Sequence, residues 1–453
     1  MPILCAYALP HPPLAIPKVG RGEEIKIQQT LSAFNEVAKE IAMLAPETII
    51  FVTPHNIIYS DYFHISPGSR AKGNLARFGV PDVRFDARYD TALSKEISHH
   101  NELAGPLGEK DASLDHGVTV PMWFINQYFS NYKAVRISQA GMDAAEHYRL
   151  GMHIAESTDK LKRKAVLIAS GDLSHKLFET TEGVDFDKSV TDYLSSASFL
   201  DLLTIPENLR ESAAECGYNS YAVLAGCFDR RKVDSKLLSY EGPFGVGYAI
   251  ARFAPGEPDE TRNFLEQYTD ILLAKAREYQ QTEDCYRALA RQALEHVIAN
   301  PTSLSLPLPN NLPNELLTSR AGVFVSLHKN EKLRGCIGTI SPTTNNIALE
   351  IIRSAISAGL DDNRFSPVTI DELPFLAYKV DVLSAPELIS DASKLDVKRY
   401  GVIVSSGNKR GLLLPNLDGI DTVESQIDIA RRKGGITIDA PITLERFEVI
   451  RHE

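Results

Sequence analysis

Four histidines of this chain, His11, His55, His116 and His175, each stand where an apolar run meets polar residues. His11 follows ILCAYALP, His55 follows TIIFVTP, His175 closes KAVLIASGDLSH, and His116 opens the apolar run HGVTVPMWF. A single histidine at a strand end is ordinarily bonded to nearby backbone, but four at the mouths of strands and helices point to a shared site. Two imidazoles and one carboxylate with open positions form the ligand set of non-haem Fe(II) centres that bind both O2 and a substrate. His11 and His55 are the candidate imidazole ligands. The third ligand is sought at a helix start or a strand end, and Glu215 and Glu241 stand at such places. Glu215 precedes an apolar helical run, where the helix dipole favours a carboxylate. Glu241 follows KLLSY and precedes a Gly-Pro pair, the position of an ordinary turn carboxylate. Cys216, beside Glu215, offers a thiolate, and reads equally as a small buried residue.

His116 and His175 are left for acid–base work, since an imidazole titrates near neutrality and can take a substrate proton and return it. Asp172 either orients His175, lines the pocket, or caps the following turn together with Ser174. The remaining histidines of this half, His64, His99, His100, His147 and His153, lie in polar or helical-surface contexts and are expected to be solvated.

The elements that must carry these residues are legible from pattern. Ala165–Ala169 and Thr48–Val52 are apolar without alternation, as in strands of a parallel sheet covered on both faces. Ligands of such sheets gather at the carboxyl ends of the strands. Lys26 to Ala45 places Ile27, Leu31, Phe34, Val37, Ala38, Ile41 and Leu44 on one helical face, and Pro46 ends it. Strand, helix and strand then form a βαβ unit with parallel strands. Residues 61–115, richer in Gly, Pro and charge, read as surface excursions. A helix is predicted from near Val118, a strand at Tyr132–Ile137, and a helix from Asp143 to about Leu161. Beyond His175 the pattern predicts a helix near Val184–Leu203 and strands at Lys236–Tyr240 and Val246–Phe253. Residues 1–255 are thus expected to be an α/β domain whose largely parallel central sheet is flanked by helices.

The polar segment PGEPDETRN, Pro255 to Asn263, predicts an interdomain hinge. Helices at Phe264–Tyr279 and Tyr286–Ile298 follow, then short strands, a helix through Asn345–Ala358, and a hairpin turning at Gly407-Asn408. A helix at Asp421–Lys433 and a final strand around Ile442–Ile450 complete an α+β domain, residues 262–453.

Composition narrows the class. A chain of 453 residues exceeds what one core ordinarily serves. The net charge of −11 argues against a nucleic-acid partner. No apolar run approaches the ~20 residues that span a bilayer, and the N-terminus lacks the basic region and cleavage site of a signal peptide. Five cysteines without a C-x-x-C pair argue against a disulfide framework or a cysteine-only zinc site and fit a reducing cytoplasm.

The segments ALPHPP, FVTPHN, LDHGVTVP, IASGDLSH and ECGYNS resemble the LigB family of class III extradiol dioxygenases and the related Memo proteins. That resemblance implies Fe(II) held by His11, His55 and an acidic third ligand, His175 as the acid–base residue, and His116 near the O2 and substrate site. It further implies a catechol-like or other small vicinal diol as substrate and O2 as co-substrate. Memo-type relatives use a cysteine near the third-ligand position, and Glu215-Cys216 straddles the two patterns. From about residue 262, KLRGCIGTI, DDNRFSPV and GNKRGLLLP resemble the AMMECR family. The fusion of two such halves resembles the A component of the AmmeMemoRadiSam system, which implies Memo-like and radical-SAM-like partners. Dioxygenases of this type are often associated subunits, which implies a homodimer.

In the C-terminal half, Arg334 near Cys336 would lower the thiol pKa and make a second reactive site. Alternatively Gly335 and Gly338 form a tight turn and Cys336 packs inside. Asp362, Asn363 and Arg364 join that site or cap a helix end. Two functional readings stand: an Fe(II)-dependent dioxygenase joined to an AMMECR domain, or a non-catalytic adaptor that binds a metal or small molecule on the same scaffold. Zinc with bound water fits a His-His-Glu set as well, as in a hydrolase. All of them need the side chains of residues 11, 55 and 175 to meet in one cleft along one edge of the first sheet.

Overall fold

Six strands form the sheet that positions the histidines: β1 (Ile3–Leu9), β2 (Thr48–Thr53), β3 (Lys133–Ser138), β4 (Ala165–Ser170), β5 (Arg231–Glu241) and β6 (Tyr248–Pro258). In this computed structural model, which describes residues 3–106, 113–330, 332–417 and 419–453, the chain divides into two units, Met1–Thr269 and Asp270–Glu453. The strand order is β3-β2-β4-β1-β6-β5. The first four pair in parallel, and β6 and β5 add an antiparallel edge. Every residue of β2 and β4 is buried, which is why neither shows alternation.

One face of this sheet packs on α1 (Gln28–Leu44) and α2 (His116–Ile125). Tyr7, Leu9, Ile49, Phe51, Val166 and Ile168 share a core there with Phe34, Val37 and Ile41 of α1 and Val118 and Phe124 of α2. Each such side chain contributes about 2 kcal/mol by leaving water. Phe34 and Phe124 stack at 4.3 Å between ring centroids. Helices α3 (Ala144–Lys160) and α5 (Tyr218–Gly226) pack on each other, while α4 (Thr181–Ser196) follows the loop that carries His175.

Two sequence expectations change here. The 61–115 region is more than surface excursion: Arg70–Leu75 and Val80–Arg88 pair as a hairpin whose Ala71, Leu75, Phe85 and Ala87 join the core. Residues 107–112 of that region lie outside the described residues. The expected hinge also fails to break the sheet, because β6 runs on through Pro255 to Pro258. Beyond Phe253 this strand has outrun β1 and pairs with β5 alone, so prolines there face an edge that needs no donor.

The second unit is α+β. Strands β7 (Gly322–Lys329), β8 (Lys332–Gly338), β9 (Leu376–Leu383), β10 (Tyr400–Ser406), β11 (Lys409–Leu413) and β12 (Thr443–His452) form a curled sheet in the order β8-β7-β9-β12-β10-β11. All its pairings are antiparallel, and the short strand Glu387–Ile389 adds to β12. The β10–β11 hairpin turns at Gly407, whose φ of +57° suits glycine. Helix Ile347–Leu360 packs on β7 and β8.

Candidate metal centre

Three adjacent parallel strands end side by side, and each delivers a polar residue just past its last paired position. His11 follows β1, His55 follows β2 and Asp172 follows β4, which lies between them. His11 Nε2 and His55 Nε2 are 2.8 Å apart. Two bonds of about 2.1 Å at right angles would hold such nitrogens about 3 Å apart, so the pair fits one ion. Cys216, from the loop before α5, brings Sγ to 3.7 Å from His11 Nε2. The ligand atoms of His11, His55 and Cys216 lie within 4.8 Å of one another, and so do those of Asp172, His175 and Cys216. Cys216 is common to both groups.

The loops that bring Cys216 here are laced to the end of β4. Asp172 N–H donates to Cys216 Sγ at 3.2 Å, Cys216 N–H donates to the Asp172 carbonyl at 3.4 Å, and the Tyr221 hydroxyl donates to the Gly171 carbonyl at 2.6 Å. Gly171 and Gly217 cross so closely that a Cβ on Gly171 would stand 2.0 Å from Gly217 Cα. Only glycine permits that approach. Gln139 Nε2 holds the Cys216 carbonyl at 2.9 Å.

The imidazoles are held as firmly. His11 is buried, its N–H donates to Asp172 Oδ1 at 2.8 Å, and its Nδ1 meets Ser170 Oγ at 2.9 Å. The Ser170 hydroxyl itself donates to the Gly117 carbonyl at 2.6 Å. On the other wall, Thr53 donates its hydroxyl to Asp115 Oδ1 at 2.7 Å and accepts from the His55 N–H at 3.2 Å. Asp115 faces the fully buried guanidinium of Arg136 at 3.5 Å. His116 stacks on His55 at 4.0 Å between centroids, and the Phe78 ring meets His116 edge-on at 5.5 Å.

Burial sets the protonation states. It pushes His11 down to about 3, helped by the neighbouring His55. Burial with His116 nearby lowers His55 to about 4, and burial with His11 nearby lowers His116 to about 4. All three are therefore neutral at pH 7, as metal-binding imidazoles must be. Burial raises the Asp172 carboxyl above the ordinary carboxylate range and, with the charge of Asp172, raises the Cys216 thiol. His175 Nδ1 lies 2.6 Å from the Ala214 carbonyl, which can only accept, so in the neutral ring Nδ1 carries the hydrogen and Nε2 the lone pair.

The two candidate glutamates point elsewhere. Glu215 is half-buried and accepts from Tyr218 N–H at 2.6 Å, capping the first turn of α5. Glu241 accepts from the backbone N–H and hydroxyl of Thr30, both at 2.7 Å, at the start of α1. Both carboxylates satisfy helix N–H groups, and neither belongs to the two ligand groups. Among the histidines expected to be solvated, His64 and His147 are fully buried. His147 is held by the Asp143 carbonyl at 2.8 Å on Nδ1 and by Ala140 N–H at 3.3 Å on Nε2. Ser170, Thr53, Asp115, Arg136 and Gln139 were not singled out from sequence. For Ser170 the sequence signal is Pro121, inside the apolar run after His116.

In the second unit, Arg334 directs its guanidinium to Glu372 through bonds of 3.0 and 2.9 Å. Asp362 accepts the Cys336 N–H at 2.9 Å and pairs with Arg364, which also reaches the Cys336 carbonyl at 3.3 Å. This fork covers the backbone of the sheet's edge strand β8. Gly335 and Gly338 lie within that strand rather than in a tight turn, and Gly335 lets the Ala358 carbonyl approach. Ser326 donates its hydroxyl to Cys336 Sγ at 3.3 Å.

Residues 5–251 match the family described as the catalytic LigB subunit of aromatic ring-opening dioxygenase, and residues 287–452 match AMMECR1. A protein of Clostridium acetobutylicum is 40% identical over 464 aligned residues, covering 99% of this chain and 98% of its own. A Thermotoga maritima protein is 52% identical over 145 residues, 32% of this chain and 83% of its own. The crystal structure of an uncharacterized protein from Pyrococcus horikoshii covers 37% of this chain and 88% of its own at 32% identity, with a TM-score of 0.34. Among the described residues no helix is long and apolar enough to cross a membrane. With the strand-end ligand cluster inside the matched segment, the chain belongs to the LigB family and carries an AMMECR1 domain at its C-terminal end.

Proposed function

We propose that the N-terminal domain is a mononuclear metal-dependent dioxygenase of small vicinal diols, in which His11, His55 and Cys216 hold Fe(II). The observation that carries this reading is the pair of neutral imidazoles whose Nε2 atoms converge at 2.8 Å beside Cys216. Iron(II) bound there supplies O2 activation and an electrophilic seat for two adjacent oxygens of a catechol-like substrate. The chain's own residues supply the rest. His175, with Nδ1 committed to Ala214, removes a diol proton at Nε2 and returns it during ring opening. Asp172, buried next to it, fixes the His11 backbone and stabilises the imidazolium that forms. His116 and Phe78 wall the pocket beside His55.

A second reading, a zinc site or a non-catalytic metal-binding adaptor, is favoured by one observation. Glu215 caps a helix while Cys216 joins the ligand group, and thiolate with imidazole is a set that also suits zinc. Metal analysis of anaerobically prepared protein separates the two. The first reading expects about one iron per chain, its loss in His11→Ala, His55→Ala and Cys216→Ala, and retained iron with no diol-dependent O2 uptake in His175→Ala. Tightly held zinc with no turnover of any diol supports the second. Unchanged metal content in both His11→Ala and His55→Ala overturns both.

A further inference from the structure

Helix α2 holds a proline, Pro121, past its first turn. In a regular helix the N–H of residue 121 would donate to the carbonyl of residue 117. Proline has no N–H, so the Gly117 carbonyl is left without that donor. The donor it takes instead comes from the neighbouring strand end, the Ser170 hydroxyl at 2.6 Å. Gly117 is buried, and a Cβ there would stand 2.3 Å from Thr53 Oγ1, so glycine is what lets the helix approach the strand ends this closely.

A serine hydroxyl has one proton. With that proton committed to Gly117, Ser170 Oγ can meet His11 Nδ1 at 2.9 Å only as an acceptor. Nδ1 then carries the imidazole hydrogen, and Nε2 turns a bare lone pair toward His55 Nε2 and Cys216 Sγ. We propose that Pro121 is a positioning residue for the metal centre: by withholding one backbone donor it sets the direction of the Ser170 hydroxyl, and through it the His11 tautomer whose Nε2 is free to bind a metal. This deepens the metal-centre reading and rests on it for its function, although the tautomer is a property of the metal-free protein. Proline is the costliest residue a helix interior can hold, and Pro121 lies too far into α2 to act as a helix-starting proline. The relay gives it a role that packing alone does not require.

The test uses the full-length, metal-free protein labelled with 15N-histidine, and Pro121→Ala as the variant. In the wild type, His11 should show a protonated Nδ1 and an unprotonated Nε2. In Pro121→Ala the restored N–H competes for the Gly117 carbonyl, the Ser170 hydroxyl is released, and signal should move toward the Nε2–H tautomer. Zn(II) affinity, measured by chelator competition, should fall between about tenfold and about a hundredfold, the range for losing a group that orients a ligand. Ser170→Ala should lose a similar amount, and the double variant should lose no more than the worse single one, because both act through one path. Pro121→Val restores the same N–H and must behave alike if Pro121→Ala fails to fold. An unchanged tautomer in these variants, or losses that add, overturns the proposal. A wild type that binds no metal refutes the metal reading, while the tautomer measurement still decides the role of Pro121.

Discussion

Metal affinity at this centre should climb with pH, and Cys216 should be the reason. His11 at about 3 and His55 at about 4 are already neutral across the physiological range and release nothing when a metal arrives. The Cys216 thiol is held above its ordinary value by burial and by the charge of Asp172, so it keeps its proton until a cation displaces it. Protons and metal compete for one sulfur. Raising the pH removes the competitor, so apparent affinity should rise about tenfold per pH unit, or about a hundredfold between about pH 6 and about pH 8. Calorimetry of Zn(II) binding in buffers of different ionisation enthalpy should count about one proton released per ion. Cys216→Ala should bind more weakly and flatten the pH slope. A flat wild-type profile, or an unchanged slope in Cys216→Ala, would refute the thiolate ligand.

Three further outcomes test the framework. Burial pushes Glu215 from 4.5 up to about 7, so its share of stability is present below about pH 4.5 and lost as pH rises toward 7; Glu215→Gln should abolish that loss in urea unfolding and leave metal stoichiometry unchanged. Glu350 is buried, which alone would raise its carboxyl, yet bonds from Thr339, Thr343 and Thr344 bring it from 4.5 down to about 2. Its contribution of about 3 kcal/mol is present above about pH 4.5 and lost as pH falls toward 2, so Glu350→Gln should weaken the second domain at neutral pH and flatten its acid unfolding curve. Gly171→Ala would put a Cβ 2.0 Å from Gly217 Cα, a backbone atom that cannot step aside. It should destabilise the first domain by more than about 3 kcal/mol and separate Cys216 from Asp172, and thermal melts with near-native stability would show that the two loops can part freely.

The parts of the site set by strand pattern were legible in the sequence. Residues of β2 and β4 are buried on both faces, so their apolar runs stand out, and the histidines just beyond them face the crevice where parallel strands end. Side-chain direction in the irregular loops was not legible. Glu215 and Cys216 are neighbours before α5, and no periodicity says which turns to the site and which caps the helix. Asp172 stood open between orienting His175, lining the pocket and capping a turn, because its bond to His11 spans 161 residues. The length of β6 was hidden because prolines suggest a break, and only the pairing partner shows that their missing donors are not needed.

The order of the strands also dictates when this centre can come into being. His11 and His55 leave the ribosome early, but β4 lies between their strands, and Ser170 and Cys216 follow much later in the chain. A nascent chain stopped before β4 holds both imidazoles without the serine, the thiol and the glycine crossing that organise them. On the proposed metal reading, the full ligand set is therefore assembled only in a completed domain, because the partial chain has the two imidazoles but not the thiol.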